Sequence, residues 1–116
     1  MVEQRFDQGR GFRKTDAYPS VTGITPRTEG GQLCFYDGSG NKITLIDTTS
    51  GNVSWSLLEP KNATGLLQTV KRITGGANTL TVTSITGNID GAASKSIPTQ
   101  YQSFTFISDG TNYWII

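Results

Sequence analysis

Apolar and polar residues alternate in short runs along this chain of 116 residues, from about residue 33 to the end. An alternation with a period of two places successive side chains on opposite faces of an extended strand, so each run predicts a half-buried β-strand. Gly, Asn and Asp residues, which are typical of tight turns, separate the runs. The predicted strands cover residues 33–36, 42–46, 53–57, 66–73, 78–82, 103–108 and 113–116.

The largest apolar residues of these strands are the candidates for the core. Ile43 and Leu45 share one face of their strand, and the strand after it presents Val53 and Leu57 on a single face. The chain ends on bulky residues that would be unfavourable in water, so we expect this end to pack against other copies of the chain. The residues expected in the core or at a trimer interface are Trp55, Ile73, Leu80, Val82, Phe104, Phe106, Trp114 and Ile116.

No segment has the pattern of a stable amphipathic helix. The one candidate, residues 57–67, contains Pro60 and Gly65, which both disfavour a helix interior. The sequence therefore predicts an all-β fold of short antiparallel strands, arranged as a sandwich, a barrel, or a trimeric β-prism or β-helix. Chains of this size bury only about 60 to 70% of their surface alone. Because apolar residues make up 34% of the chain, we expect a thin core that a homotrimer completes.

Residues 1–32 differ from the rest, because they are polar, carry charges of both signs and lack any strand or helix periodicity. We interpret them as an extended arm that precedes a β-rich oligomerising body, residues 33–116. Cationic and aromatic side chains of the arm could pair with carboxylates and apolar pockets of a partner protein. A nucleic-acid contact and a solvated tail are the alternatives. The residues expected to anchor the arm are Arg5, Phe6, Arg10, Phe12, Arg13 and Lys14.

Candidate catalytic and metal-binding residues are few. The chain has no histidine and one cysteine, Cys34, so histidine-based catalysis and a zinc site are excluded. We expect no enzyme activity, no cofactor and no metal ion. Two alternatives stay open: calcium binding by the loop of residues 37–41, and a glycosidase-like pair of carboxylates. The carboxylates available for such a pair are Asp37, Asp47, Glu59, Asp90 and Asp109.

The net charge of the chain is +1, whereas dedicated nucleic-acid binders usually have a clear basic excess. We therefore expect no nucleic-acid partner. The chain lacks both the apolar run of a signal peptide and an apolar stretch long enough to span a bilayer. We expect synthesis in the cytoplasm and no membrane partner.

The second half of the chain, residues 62–116, resembles the small β modules of tailed-phage fibres, spikes and head-decoration proteins. The order of several segments carries this resemblance, and the closing hairpin is its most specific part. The segments are Val70-Lys71-Arg72-Ile73, Asn78-Thr79-Leu80-Thr81-Val82, Ile89-Asp90-Gly91 and residues 103–114 (SFTFISDGTNYW).

The resemblance implies a homotrimeric virion protein. Together with the arm, it predicts a capsid decoration or cement protein, or a short head fibre, on the capsid surface of a bacteriophage. The expected partner of the arm is the major capsid protein. The alternative is a receptor- or glycan-binding tip of a tail fibre, which would stack Tyr101, Tyr113 or Trp114 on a host-surface glycan.

Overall fold

The protein is seen in a computed structural model, which describes residues 23–116. Within this range the chain forms nine strands and a single 3-10 turn, Pro60–Asn62, and it contains no α-helix. The prediction of an all-β fold is confirmed. The strands are β1 Thr25–Glu29, β2 Gln32–Tyr36, β3 Lys42–Ile46, β4 Val53–Leu57, β5 Leu67–Arg72, β6 Leu80–Ser84, β7 Ser94–Ser96, β8 Ser103–Ser108 and β9 Tyr113–Ile115.

The strands form two mixed sheets that pack against each other. One sheet has six strands in the order β1-β2-β3-β5-β8-β9, and the other has three in the order β4-β6-β7. The predicted antiparallel pairing holds for most neighbours, but β3 with β5 and β4 with β6 are parallel. After β3 the chain crosses to the smaller sheet to form β4 and then returns to the larger sheet, where β5 lies parallel to β3. It crosses once more to form β6, which lies parallel to β4. No helix in the described part of the chain is long and apolar enough to span a membrane.

A hairpin of β1 and β2 forms one edge of the larger sheet. Gly30 and Gly31 make its turn with φ of +55° and +81°, values that glycine adopts without steric cost. The strand β1 lies inside the segment that the sequence analysis assigned to the arm. It was missed because its side chains are nearly all exposed, so it shows no alternation. The predicted hairpin of β2 and β3 is confirmed, with Phe35 opposite Ile43.

The core lies between the two sheets. The larger sheet contributes Ile46 and Val70, and the smaller sheet contributes Leu57. Of the predicted core residues, Leu80, Val82 and Phe106 are buried, whereas Trp55 and Phe104 pack on the core at its margin. Each large apolar side chain buried in this way contributes about 1.5 to 3 kcal/mol to folding.

Arg72 lies at the end of β5 and is buried in the same interior. Its guanidinium donates to the carbonyl oxygens of Thr74 at 2.8 Å, Ile97 at 3.1 Å and Asn78 at 2.6 Å. It also donates to the Gly76 carbonyl at 3.2 Å. A buried polar group is tolerated when its hydrogen bonds are made, and here they are made by the loops that flank β5, β6 and β7. Arg72 therefore ties these loops to one end of the sandwich.

Candidate functional site

The candidate site is the outer face of the six-stranded sheet, the face turned away from the smaller sheet. Because successive side chains of a strand point to opposite faces, the strand register arranges the outer side chains in three rows across the sheet. The first row is Thr28, Leu33, Leu45, Lys71 and Ser103, the second is Pro26, Phe35, Ile43, Thr69 and Thr105, and the third is Leu67, Ile107 and Trp114.

Apolar residues occupy most of the outer face on β1, β2, β3 and the start of β5. Ile43 at its centre is 48% exposed, and Leu33 beside it is 42% exposed. Lys71 is the only charged residue in the three rows. The solvated face of a sheet usually carries the polar residues, whereas here Lys42 and Gln68 point inward from β3 and β5. The polarity of this part of the sheet is therefore inverted.

A depression of about 280 Å³ lies at one end of the outer face. Ile24, Phe35, Ile43 and Leu67 form its apolar wall, and the loop between β2 and β3 forms a polar rim. The outer face is thus apolar and also contains a concave region. Contiguous exposed apolar patches on small proteins often mark interaction sites.

The inward side chains beneath the outer face form an ionic cluster that holds β1 to β3. The Lys42 ammonium donates to the Glu29 carboxylate at 2.9 Å, and the Tyr36 hydroxyl donates to the other oxygen of that carboxylate. The Lys42 nitrogen also lies 5.3 Å from the ring centres of both Tyr36 and Trp55, within the range of a cation–π interaction. Trp55 in turn covers Gly30 in the turn of the hairpin.

The cluster shifts the pKa values of its members. The hydrogen bonds from Tyr36 and Lys42 hold the pKa of Glu29 below its ordinary value. Burial is the largest influence on Lys42 and works against its charge, but the hydrogen bonds and charges of Glu29 and Tyr36 together outweigh burial and raise the pKa of Lys42. Burial and the bond to Glu29 together raise the pKa of Tyr36. The pair is therefore ionised at neutral pH, and it fixes the edge hairpin under the outer face.

Trp114 lies at the far corner of the outer face and is 46% exposed. The Asp109 carboxylate accepts a hydrogen bond from its indole nitrogen at 2.8 Å. The other oxygen of Asp109 accepts from the backbone nitrogens of Thr111 and Asn112, both at 2.8 Å. These N–H donors, Asn112 first and the indole second, lower the pKa of Asp109. The indole is thus held in a fixed direction at the surface.

The remaining predicted residues fall into three groups. The anchoring residues of the arm, Arg5, Phe6, Arg10, Phe12, Arg13 and Lys14, lie outside the described residues. Ile73 is half-buried, whereas Trp114 and Ile116 are exposed in the single chain. Whether these two lie at an interface between chains stays a prediction. The alternation in residues 42–46 placed Ile43 and Leu45 on one face as candidates for the core, but this face is the outer one and Ile43 is exposed. Leu33 and Leu67 were not among the predicted site residues.

The loop considered for calcium is held by its own hydrogen bonds. The Asp37 carboxylate accepts from the backbone nitrogens of Ser39 at 2.8 Å and Asn41 at 3.0 Å, and from the Asn41 side chain at 2.9 Å. These donors, with the Asn41 side chain first, lower the pKa of Asp37. The carboxylate oxygens are thus used to close the turn. Among residues 23–116 no group of three or more His, Cys, Asp or Glu side chains is placed to hold a metal ion.

The other carboxylates proposed for a glycosidase pair also have local partners. Asp47 accepts from the Thr49 backbone nitrogen at 2.8 Å, and Glu59 accepts from the Thr86 hydroxyl at 2.8 Å. Asp90 accepts from the Ile115 backbone nitrogen at 3.0 Å. Each of these acids therefore stabilises a turn or an edge of the fold.

Comparison of the chain with protein-family models, with curated proteins and with solved structures finds no match.

Proposed function

We propose that this chain is a structural protein of a tailed-phage virion, either a decoration (cement) protein of the capsid or a short head fibre. The outer face of the six-stranded sheet is the observation that supports this best. An exposed apolar face with Ile43 at its centre is what a chain needs to associate with other chains, and it offers no group that would act on a small substrate. The resemblance of residues 62–116 to phage β modules supports the same class.

The β-rich body is expected to form a homotrimer, and the N-terminal arm is expected to bind the major capsid protein. The three arms of one trimer would bind the same capsid at the same time. The overall affinity would then be high even if the contact of each single arm is weak. The ion pair of Lys42 and Glu29 and the hydrogen bonds of the buried Arg72 connect strands and loops of the body. Such contacts would stabilise a module that bears mechanical load. The place of action would be the capsid surface.

Charge reversal in the arm tests the capsid-binding role in the full-length chain. The variant Arg10→Glu, Arg13→Glu and Lys14→Glu should lose co-sedimentation with phage heads while its far-UV circular dichroism stays unchanged. The control Lys61→Glu reverses an exposed charge on the body and should still bind. Heads and tails purified separately from the virion that carries this gene are the binding substrates. Wild-type binding to tails alone would refute the head assignment, and equal binding by both variants would refute the role of the arm.

A second function, a glycan-binding tip of a tail fibre, is favoured by Trp114. Its indole is exposed and held by Asp109, and such an oriented aromatic ring can stack on a sugar ring. Binding of the purified chain to host cells, lost in Trp114→Ala and kept in Tyr101→Ala, would favour this function. Binding to heads without binding to cells would favour the first.

A further inference from the structure

We propose that β1 is a releasable edge strand, which separates from β2 while the rest of the fold stays intact, and that protonation of the Glu29 carboxylate promotes this release. The release is a property of the folded chain itself and goes beyond the function proposed above. β1 spans Thr25–Glu29 and forms one end of the six-stranded sheet, where it covers the adjacent edge of β2.

β1 contributes little to the packing of the body. Residues 25–28 are exposed and Glu29 is half-buried, and no residue of β1 belongs to the core that the described residues form between the sheets. A segment that buries few apolar side chains opens at a lower free energy than core strands do. The turn after β1 adds to this, because Gly30 and Gly31 gain more conformational freedom on opening than other residues would. β1 therefore has the composition and the position of a strand that opens before the core.

The Glu29 carboxylate provides side-chain contacts that hold β1 to the next two strands. It accepts from the Lys42 ammonium of β3 at 2.9 Å and from the Tyr36 hydroxyl of β2. Arg27 adds a contact to β2, because its guanidinium lies 5.4 Å from the centre of the Tyr36 ring, but its side chain is 61% exposed. Lys42 stays in the sheet when β1 leaves. Loss of the charge on Glu29 should therefore weaken the attachment of β1.

The ionisable groups around Glu29 favour its charged form in the closed strand. Those on the described elements are Arg27 of its own strand, Tyr36 and Cys34 of β2, and Lys42 of β3. The hydrogen bonds from Tyr36 and Lys42 are the largest influences, and they lower the pKa of Glu29 below its ordinary value of 4.5. A carboxyl with a lowered pKa stabilises the closed strand above its ordinary pKa, and this contribution is lost as the pH falls through its folded pKa. Acid should therefore release β1.

Release of β1 would uncover the side of β2 that bears Cys34. Cys34 is fully buried, and Arg27 lies opposite it in the strand register. Its sulfur lies 3.8 Å from a carboxylate oxygen of Glu29 and 3.6 Å from the Thr44 hydroxyl of β3. Arg27 and Glu29 leave with β1, so the thiol should become accessible. The single cysteine of the chain can therefore report release without an introduced label.

Release would also change the two segments that β1 joins. The backbone groups of β2 that pair with β1 would become free to pair with another strand. Residues 23–29 would no longer be fixed to the body and would add about 20 Å to the reach of the arm. In a virion protein of the proposed kind, the arm could then span a longer distance on the capsid.

Chemical labelling of Cys34 in the full-length chain tests the release at neutral pH. Dithiodipyridine forms a mixed disulfide with an accessible thiol and releases a thiopyridone, whose absorbance gives the rate. Glu29→Gln has the shape of the protonated side chain and should be labelled roughly tenfold faster than the wild type, because a hydrogen bond between charged groups is weakened. Glu59→Gln is the matched control, since Glu59 lies in the loop after β4 and accepts from the Thr86 hydroxyl. It should be labelled at the wild-type rate.

Urea distinguishes release of β1 from unfolding of the whole chain. Release exposes little surface, so the labelling rate should change little at low urea concentrations, whereas a rate set by global unfolding should rise with the full m-value. Amide hydrogen exchange should show β1 exchanging ahead of β5 and β8, and it detects release even where another segment keeps the thiol covered. Exchange of β1 together with β5 and β8 would overturn the proposal, as would equal rates for Glu29→Gln and Glu59→Gln in both measurements.

Acid should bring the wild type to the behaviour of Glu29→Gln. As the pH falls below 4.5 and through the folded pKa of Glu29, the opening of β1 measured by hydrogen exchange should become equal in the two proteins. Asp37, Asp47 and Asp109 also have lowered pKa values, so only the ratio between the two proteins reports on Glu29. A ratio that is the same at neutral and acid pH would refute the control of release by Glu29, even where β1 opens first.

Discussion

The carbonyl oxygen of Thr111 lies so close to Gly87 that a Cβ atom at Gly87 would be 2.1 Å from it. The side-chain oxygen of Asn112 would be 3.0 Å from the same atom, and it accepts a hydrogen bond from the backbone nitrogen of Asn88 at 2.9 Å. The turn between β8 and β9 therefore packs directly on the backbone of the loop after β6. This close approach is possible only because residue 87 has no side chain.

Gly87→Ala should destabilise the fold more than Gly91→Ala does. Both glycines have positive φ, +72° and +80°. Each alanine should therefore lower the free energy of unfolding by about 1 to 2 kcal/mol, because its Cβ disfavours the left-handed conformation. At Gly91 nothing lies within 4 Å of the added atom, whereas at Gly87 the overlap with Thr111 should add roughly 1 to 3 kcal/mol. Urea unfolding followed by circular dichroism measures both. Equal losses would show that the turn can move away.

Arg72→Met should be strongly destabilising, because it leaves the carbonyl oxygens of Thr74, Ile97 and Asn78 without their donor. Hydrogen bonds to a charged group contribute about 1.5 to 3 kcal/mol each, and we expect a total loss of roughly 3 to 5 kcal/mol in the free energy of unfolding. Lys61→Met removes an exposed cation and should change stability by less than about 0.5 kcal/mol. A loss below about 1 kcal/mol in Arg72→Met would mean that water replaces the guanidinium.

Tyr113→Phe should cost about 1 to 2 kcal/mol although it removes a single oxygen atom. The Tyr113 hydroxyl accepts from the Gln68 amide at 2.8 Å and donates to the Leu58 carbonyl at 2.7 Å, and Tyr113 is fully buried. The buried Gln68 amide and the Leu58 carbonyl would both lose this partner. Tyr101→Phe is the matched control, since Tyr101 is 66% exposed. Thermal unfolding of the two variants compares them, and equal midpoints would contradict a role for this bond.

Burial also raises the pKa of Tyr113, and the bond from Gln68 offsets only part of this effect. The folded protein should therefore keep this phenol protonated above its ordinary pKa of 10.0. The absorbance change of ionising tyrosine, compared between wild type and Tyr113→Phe during an alkaline titration, should show that this residue titrates above the ordinary pKa of a phenol or only on unfolding. A phenol that ionises at its ordinary pKa in the folded protein would contradict its burial.

The sequence predicted the strands whose apolar residues face the core, and it did so because the alternation is strong there. The strand β4 carries Trp55 and Leu57 on the inner face, and β6 carries Leu80 and Val82. In both strands the other face is made of Ser or Thr, so only one assignment of inside and outside was reasonable. The heavy pair Phe104 and Phe106 marked β8 in the same way.

The orientation of β3 and β5 could not be predicted from the same pattern. A period of two defines two faces of a strand but does not say which one is buried. In β3 the inner face carries Lys42, Thr44 and the core residue Ile46, and the outer face carries Ile43 and Leu45. The inward lysine is stable only because Glu29, thirteen positions away, supplies its partner. Partners at such a distance follow from the strand pairing, which a single sequence does not give.

The pair of Glu29 and Lys42 should make the stability of the protein depend on pH in the acid range. The folded state lowers the pKa of Glu29 below its ordinary value of 4.5, chiefly through the Tyr36 and Lys42 hydrogen bonds and also through the charges of Lys42 and Arg27. A carboxyl with a lowered pKa contributes stability above its unfolded pKa, and this contribution is lost as the pH falls through its folded pKa. The contribution of Glu29 is therefore complete at neutral pH.

Glu29→Gln should remove this dependence while keeping the shape of the side chain. The difference in unfolding free energy between the wild type and Glu29→Gln should be largest near about pH 7 and shrink as the pH falls below 4.5 and through the lowered folded pKa of Glu29, where the native carboxyl itself becomes protonated. Asp37, Asp47 and Asp109 also have lowered pKa values, so both proteins should lose stability in acid, and only the difference reports on Glu29. Urea unfolding across this pH range measures it. In the Lys42→Met background the difference should be smaller, and a difference independent of pH would show that Glu29 is not ionised in the folded cluster.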